Sequence, residues 1–475
     1  MVFSSSLFIL YFLPAFLIWY HITPKEERNY VVLIASILFY SWGAPMFVFA
    51  VLGSTFANFH LVRYMDKSAK TKNKKLLLYA SIGLNLSLLL YFKYANFFVD
   101  NFNTFISNFG YENVRWTAIA LPIGISFFTF QSLTYTIDVF RGVSKPLKKA
   151  SDYILYILLF PQMIAGPIVR FNTIANQILD RSEYDTINYK LSGAIRFSIG
   201  LGKKVLIANV MGQYADEIFA MGTGELDTGL AWLGVVCYSF QIYFDFSGYS
   251  DMAIGIGKIL GFTFPENFNC PYISRNITEF WRRWHITLGT WMRDYLYIPL
   301  GGNKVSSKRR LYFNLWIVFI ISGLWHGSAW TFVIWGVYHG LFLILDRLFL
   351  IKFFDKIGKW PSILINYIIV LFSWVVFRSE DFDSALQYSQ KMLSFDFNAH
   401  LLFYNREVWG VLFIAFFFSF FPAFSFGQKL VNNVFNKDYN LRQYIVLSFA
   451  SIILLILSIS SITTSGFNPF IYFRF

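Results

Sequence analysis

Cysteine is nearly missing from this chain: Cys237 and Cys270 are its two thiols, and they stand in no metal-ligand spacing. That excludes a disulfide framework and a thiolate metal centre. Charge is also scarce, at 14% of residues, against 56% hydrophobic and 21% aromatic, with a mean hydropathy of +0.50. A chain so poor in charge is no ordinary soluble globule. The first apolar run, Leu7 to Trp19, has no basic region before it and no small-residue cleavage site after it, so it reads as a retained helix. Internal repeats, a disordered tail and a soluble segment large enough to fold alone are all lacking.

What is present is one apolar run after another from Phe3 to Ser465. A spanning helix needs about 20 apolar residues, so the chain reads as an all-α polytopic membrane protein with roughly eleven to thirteen membrane segments, some of them broken. The net charge of +13 is then first a record of topology rather than a sign of nucleic acid. The basic run Arg63, Lys67, Lys70, Lys72, Lys74, Lys75 is expected on the cytoplasmic side, and counting helices from it puts the N-terminus outside. A single integral-membrane domain over 1–475 is expected, with scaffold helices in 1–150, a catalytic core in 151–350, and C-terminal helices with the FIYFRF tail in 351–475.

The early spans are expected near 3–22, 30–42, 46–63, 76–98 and 116–140, and plain spans return near 360–377, 408–424 and 443–462. Between them the pattern is less regular. LPIGISFFTFQSLTYTIDVFRG puts Gln131 and Asp138 in an apolar run and so predicts a helix against a cavity or a packed core. FPQMIAGPIVRF predicts a broken or re-entrant segment at Pro161, Gly166 and Pro167. SIGLGKKVLIAN, with Lys203 and Lys204 between short apolar runs, predicts a segment lying along the cytoplasmic interface. From Leu230 to Phe262, Asp245 and Asp251 sit in apolar sequence. Two readings stay open there: carboxylates that face a wet cavity or a partner, or a helix break at FSGYSD capped by Asp and Ser.

Chemistry concentrates between Phe280 and Gly340, which holds three of the six histidines. On a helical projection Trp281, Trp284, Leu288, Trp291 and Tyr295 form one stripe, while Arg282, His285, Gly289 and Met292 fall on another. That pattern predicts an amphipathic interfacial helix. Arg282, Arg283 and Arg293 suit either the phosphates of a donor cofactor or lipid headgroups. His326 lies in Gly323-Leu-Trp-His-Gly327, where glycines at i and i+4 allow a helix or ligand to come close. A neutral imidazole in such a place suits a general base. His339 reads as structural.

Taken together, LPIGISFFTFQSLTYTIDVFRG, FPQMIAGPIVRF, YSFQIYFDFSGYSDMAIGIGKILGF, PENFNCPYISRNITEFWRRWHITLGTWMRDYLYIPLGG, GLWHGSAWTFVIWGVYHG and PFIYFRF resemble the membrane-bound O-acyltransferase family, in its alginate and peptidoglycan O-acetyltransferase branch. The resemblance implies a ring of helices around a central funnel. It implies an essential histidine at His326 and a second functional histidine at His285. It implies acetyl-CoA as donor, no metal, and an extracytoplasmic SGNH-type acetyltransferase partner that serves a polysaccharide acceptor; the residues themselves suggest Arg282, Arg283, Trp284 and Arg293 as the donor platform. The bacterial inner membrane is the expected location. The terminal Phe470, Tyr472 and Phe475 resemble the F-x-Y-x-x-F ending of the small partner peptide of the related D-alanine export system, which leaves Tyr472 as either an acyl relay or an interfacial aromatic anchor. D-alanyl export to teichoic acid and a passive acyl conduit lined by Asp138, Asp245 and Asp251 stand as alternatives.

Overall fold

The computed structural model describes residues 1–222, 224–397, 405–435, 439–464 and 467–468, and within them every regular element is helical. Five helices are long and apolar enough to cross a membrane, at Thr71–Ser107, Trp330–Ile357, Lys359–Arg378, Arg406–Ala423 and Leu441–Thr464; Phe8–Ile22 is a shorter apolar one. The three late spans thus fall within a few residues of their expected positions. The chain divides into two compact units, Met1–Lys190 with Ile256–Phe264, and Leu191–Gly255 with Pro265–Phe475.

The first unit is organised by a phenylalanine stripe. Phe8, Phe12 and Phe16 recur every fourth residue and so share a helix face. The rings of Phe3, Phe8, Phe12, Phe16 and Phe39 all lie 5.2 to 6.3 Å from that of Phe160. A second anchor is polar. Asn58 Oδ1 accepts from Ser81 Oγ at 2.5 Å and Asn85 Nδ2 at 3.0 Å, while its Nδ2 donates to the Tyr153 hydroxyl at 2.6 Å. In a lipid-facing bundle these groups have no water to turn to, so bonding one another ties the helices together.

One early span needs correction. The helix expected at 116–140 starts only at Ile125 and ends at Phe140, because Pro122 lacks an N–H and Gly124 takes a left-handed φ of 79°. That helix lies against a packed core: Ser126, Gln131, Ser132, Thr134 and Thr136 are all buried. FPQM forms one short helix, Phe160–Met163, with an irregular stretch after it, as its prolines and glycine predict.

Thr228–Ile259 is one continuous helix of 32 residues, so of the two readings left open at FSGYSD the helix break does not occur. The carboxylates there find cationic partners instead. Asp251 takes Arg196 at 2.6 Å and Lys203 at 2.6 Å, and Asp245 takes Lys204 at 2.9 Å. Arg196 also grips Glu266 with two bonds of 2.8 and 2.6 Å. Lys204 is 2% exposed, so its ammonium meets a carboxylate inside the protein rather than solvent.

Glycine makes this pairing possible. Gly193 and Gly200 face Gly255 and Gly248: a Cβ on Gly200 would come within 2.6 Å of the Gly248 carbonyl oxygen, and one on Gly255 within 2.6 Å of that of Gly193. Both pairs are seven residues apart along their helices, so the backbones touch two turns apart in antiparallel sense. Short side-chain reach between the helices follows.

Candidate active site

The helix predicted through Phe280 to Tyr295 is in fact two short helices, Ile277–Arg283 and Ile286–Met292, and the break falls on Trp284–His285. His285 adopts φ 45° and ψ 52°, a left-handed conformation that costs a non-glycine residue on the order of 1 kcal/mol. The apolar period runs through the break, so nothing in the projection reveals it. The break is held from another segment by Asn267. Its carbonyl oxygen accepts from the Ile286 N–H at 2.9 Å, and its Oδ1 accepts from the Thr287 N–H at 3.3 Å and the Thr287 hydroxyl at 2.8 Å. Two orphan donors at the start of Ile286–Met292 are thereby satisfied.

The first of the two helices begins with an asparagine cap, braced by Glu279 one residue further out. Asn276 Oδ1 accepts from the Glu279 N–H at 2.8 Å, and Glu279 Oε2 accepts from the Arg275 N–H at 2.9 Å. Thr278 donates twice to Asp346 Oδ2, through its N–H and its hydroxyl, each at 2.7 Å.

His326 closes the helix Lys308–His326 and is 6% exposed. The following residues, Gly327 to Ala329, turn the chain directly into Trp330–Leu345. The two helices touch at glycines: a Cβ on Gly323 would meet the Phe332 carbonyl oxygen at 2.2 Å, and one on Gly336 the Phe319 oxygen at 2.4 Å. The approach that the Gly323/Gly327 spacing predicts is therefore made by the next helix of the same chain. Around the His326 ring stand Trp325 at 4.9 Å, Trp335 at 5.1 Å and Phe377 at 5.4 Å.

His285, with no exposed surface, meets Phe246 edge-on at 4.7 Å and lies 6.4 Å from His326, ring centre to ring centre. The two histidines singled out from the sequence thus share one buried cluster of aromatic rings. His339 shares Trp335 with that cluster but is engaged elsewhere: its Nδ1 accepts from Trp281 Nε1 at 3.2 Å, and Phe280 stacks on its ring.

The four residues expected on the donor platform separate. Arg282 is exposed and Arg283 half-buried, and both line an open cleft of about 520 Å³ with Arg275, Asn276 and Glu279. A second cleft of about 350 Å³ shares Arg275, Glu279 and Arg283 and adds Lys359. Four cations against one carboxylate leave these clefts strongly positive. Glu279 takes Arg283 at 2.9 Å and Arg275 at 3.7 Å, which orders both guanidinium groups. Trp284 instead packs inside, 3% exposed, against Phe268 and Trp374. Arg293 pairs with its neighbour Asp294 at 2.7 Å and lines neither cleft.

Tyr472, with Phe470 and Phe475, lies outside the described residues. Asn267, Arg275 and Lys359 were not legible as site residues. Asn267 sits in PENFN, a polar residue beside aromatics and two positions after Pro265, and that setting is the one signal it gave. Among the described residues no group of three or more His, Cys, Asp or Glu side chains is placed to hold a metal ion.

Residues 147–378, which contain both histidines and both clefts' arginines, match the membrane-bound O-acyltransferase family. The chain is 43% identical over 396 residues to the probable alginate O-acetylase AlgI of Pseudomonas aeruginosa, covering 83% of this chain and 75% of that one. It is 38% identical over 495 residues to the probable alginate O-acetylase AlgI of Pseudomonas putida, with all of both chains covered. With the peptidoglycan O-acetyltransferase of Helicobacter pylori it shares 37% over 427 residues, 83% of this chain and 80% of that one. A multi-pass helical architecture, a buried histidine pair and relatives of this similarity agree: the chain belongs to the membrane-bound O-acyltransferase family and is an acyltransferase.

Proposed function

We propose that the protein takes an acetyl group from cytoplasmic acetyl-CoA and passes it across the bacterial inner membrane for O-acetylation of an extracytoplasmic polysaccharide, an alginate-type exopolysaccharide or peptidoglycan. An SGNH-type transferase outside the membrane completes the delivery. The observation that carries this reading is the approach of His285 and His326 to 6.4 Å within one buried aromatic cluster, in a chain similar to proteins named for alginate and peptidoglycan O-acetylation.

In this reading His326 is the general base. It takes the proton of an attacking hydroxyl while that oxygen bonds to the thioester carbonyl carbon. The carbon–sulfur bond then breaks, the thiolate leaves as coenzyme A, and the proton held on the imidazole neutralises it. His285 orients the reacting group. Burial among Trp325, Trp335 and Phe377 keeps competing water out, which protects the thioester from hydrolysis. Arg282 and Arg283, helped by Arg275 and Lys359, draw in the phosphate-bearing end of the donor, since guanidinium meets phosphate with two parallel bonds. Tyr472 serves as acyl relay, with a topology that puts the N-terminus outside and the basic run after Arg63 in the cytoplasm.

The test is polysaccharide O-acetylation by cells that carry His326→Ala, with membrane content of the protein measured alongside. Transfer should vanish while the protein remains in the membrane; retained acetylation would remove this mechanism. Purified protein given acetyl-labelled coenzyme A separates catalysis from passive conduction, because only the former cleaves the thioester.

A further inference from the structure

Asn267 does more than cap a helix. Its side-chain oxygen faces three groups: the Thr287 N–H at 3.3 Å, the Thr287 hydroxyl at 2.8 Å and His285 Nδ1 at 3.1 Å. Its amide nitrogen donates the other way, to Ser250 Oγ at 3.2 Å. A backbone N–H can only donate, so the atom opposite Thr287 N must be oxygen, and the amide cannot be turned round without setting two donors against each other. The oxygen in turn can only accept. His285 Nδ1 must therefore carry its proton, and in the neutral ring Nε2 then keeps its lone pair. Among the described residues that buried Nε2 has no hydrogen-bond partner.

We propose that Asn267 is a positioning residue that locks His285 in the Nδ1–H tautomer and presents Nε2 as a hydrogen-bond acceptor to the reacting group. Ser250 and Thr287 hold the amide in place from either side. The left-handed backbone of His285 is part of the same device, because it brings Nδ1 and the Thr287 N–H onto one oxygen. The assignment of the tautomer stands on hydrogen-bond geometry alone; its catalytic consequence rests on the proposed acetyl transfer.

The test uses the full-length protein in lipid nanodiscs with ring-15N histidine, and His285→Asn to assign the His285 signals. The expected result is a protonated Nδ1 and a bare Nε2 in the unaltered protein. A proton on Nε2 would overturn the proposal whatever the variants do. Asn267→Asp keeps the acceptor and should keep the tautomer; Asn267→Leu should lose it and drop kcat at least tenfold with KM for the donor little changed. Wild-type kcat in a folded Asn267→Leu protein would also overturn it. If the spectrum is as expected but His285→Ala still transfers acetyl normally, the tautomer lock stands and the role of His285 in transfer falls, so the two failures are told apart.

Discussion

The indole of Trp325 lies 4.9 Å from the His326 ring and 5.8 Å from the His285 ring, so one residue touches both imidazoles. Because Trp325 and His326 are consecutive on one helix, the spacing of the pair depends on how that indole packs. Trp325→Phe keeps an apolar ring and should retain a reduced activity, about tenfold down. Trp325→Ala removes the wall and costs about 3–5 kcal/mol as a core truncation. Both are checked by polysaccharide O-acetylation normalised to protein in the membrane, and equal activity of the two variants would argue against a spacing role.

Gly336 sets the contact between the helix of His326 and the next one. A Cβ there meets a backbone oxygen, which cannot rotate away, so Gly336→Ala must push the helices apart. Overpacking of this sort costs about 1–3 kcal/mol. Thermal unfolding in detergent should show it, with acetyl transfer lost in parallel. Gly83→Ala is the control: nothing lies within 4 Å of its added Cβ, and stability should hold or rise slightly.

The Lys204–Asp245 pair is buried on both sides, each side chain 2% exposed. Removing one partner takes away a counter-charge at 2.9 Å from a buried ion, so Lys204→Met should destabilise by about 3–5 kcal/mol, and Asp245→Leu should behave alike. The double variant should recover most of the loss, since an apolar pair carries no such desolvation cost. Melting temperatures of the three proteins check it; additive losses in the double variant would mean the pair is not coupled.

Asp185, in a loop, is ringed by Lys190 at 2.6 Å, Arg28 at 3.1 Å and Lys25 at 3.5 Å. Burial pushes its carboxyl up, but the three cations outweigh that and hold it below the usual carboxylate range. A carboxyl depressed on folding contributes stability that is present above its unfolded value, about 3.9, and is lost as pH falls through the lower folded value. Asp185→Asn should therefore lower the melting temperature slightly at pH 7 and show a smaller loss than the parent on acidification below pH 4. Curves that stay parallel to the lowest pH measured would contradict this.

Much of the architecture was legible because lipid imposes long apolar helices, and the late spans at Lys359–Arg378 and Leu441–Thr464 show how directly that reads. His285 and His326 were singled out because imidazole is rare in this chain, His326 stands between closely spaced glycines, and the family resemblance marks both positions. The break at Trp284–His285 was not, since a 3.6-residue period continues across it and the residue that enforces it, Asn267, lies 18 positions earlier. The fates of Lys203 and Lys204 were hidden for a related reason. Charge in an apolar run looks alike whether it snorkels to an interface or meets a carboxylate, and the partner helix announces itself only through glycines spaced by seven.

Those same four glycines bear on how the protein is made. Lys204, Asp245 and Asp251 are buried charges that are costly to leave unpaired, and Lys203 shares Asp251 with Arg196. The cationic stretch emerges from the ribosome first and has no counter-charge until the Thr228–Ile259 helix is complete. Docking of the two helices is what supplies the counter-charges, and Gly193, Gly200, Gly248 and Gly255 are the residues that let the backbones come close enough for it, so the seam sets the charge pairing as well as the packing.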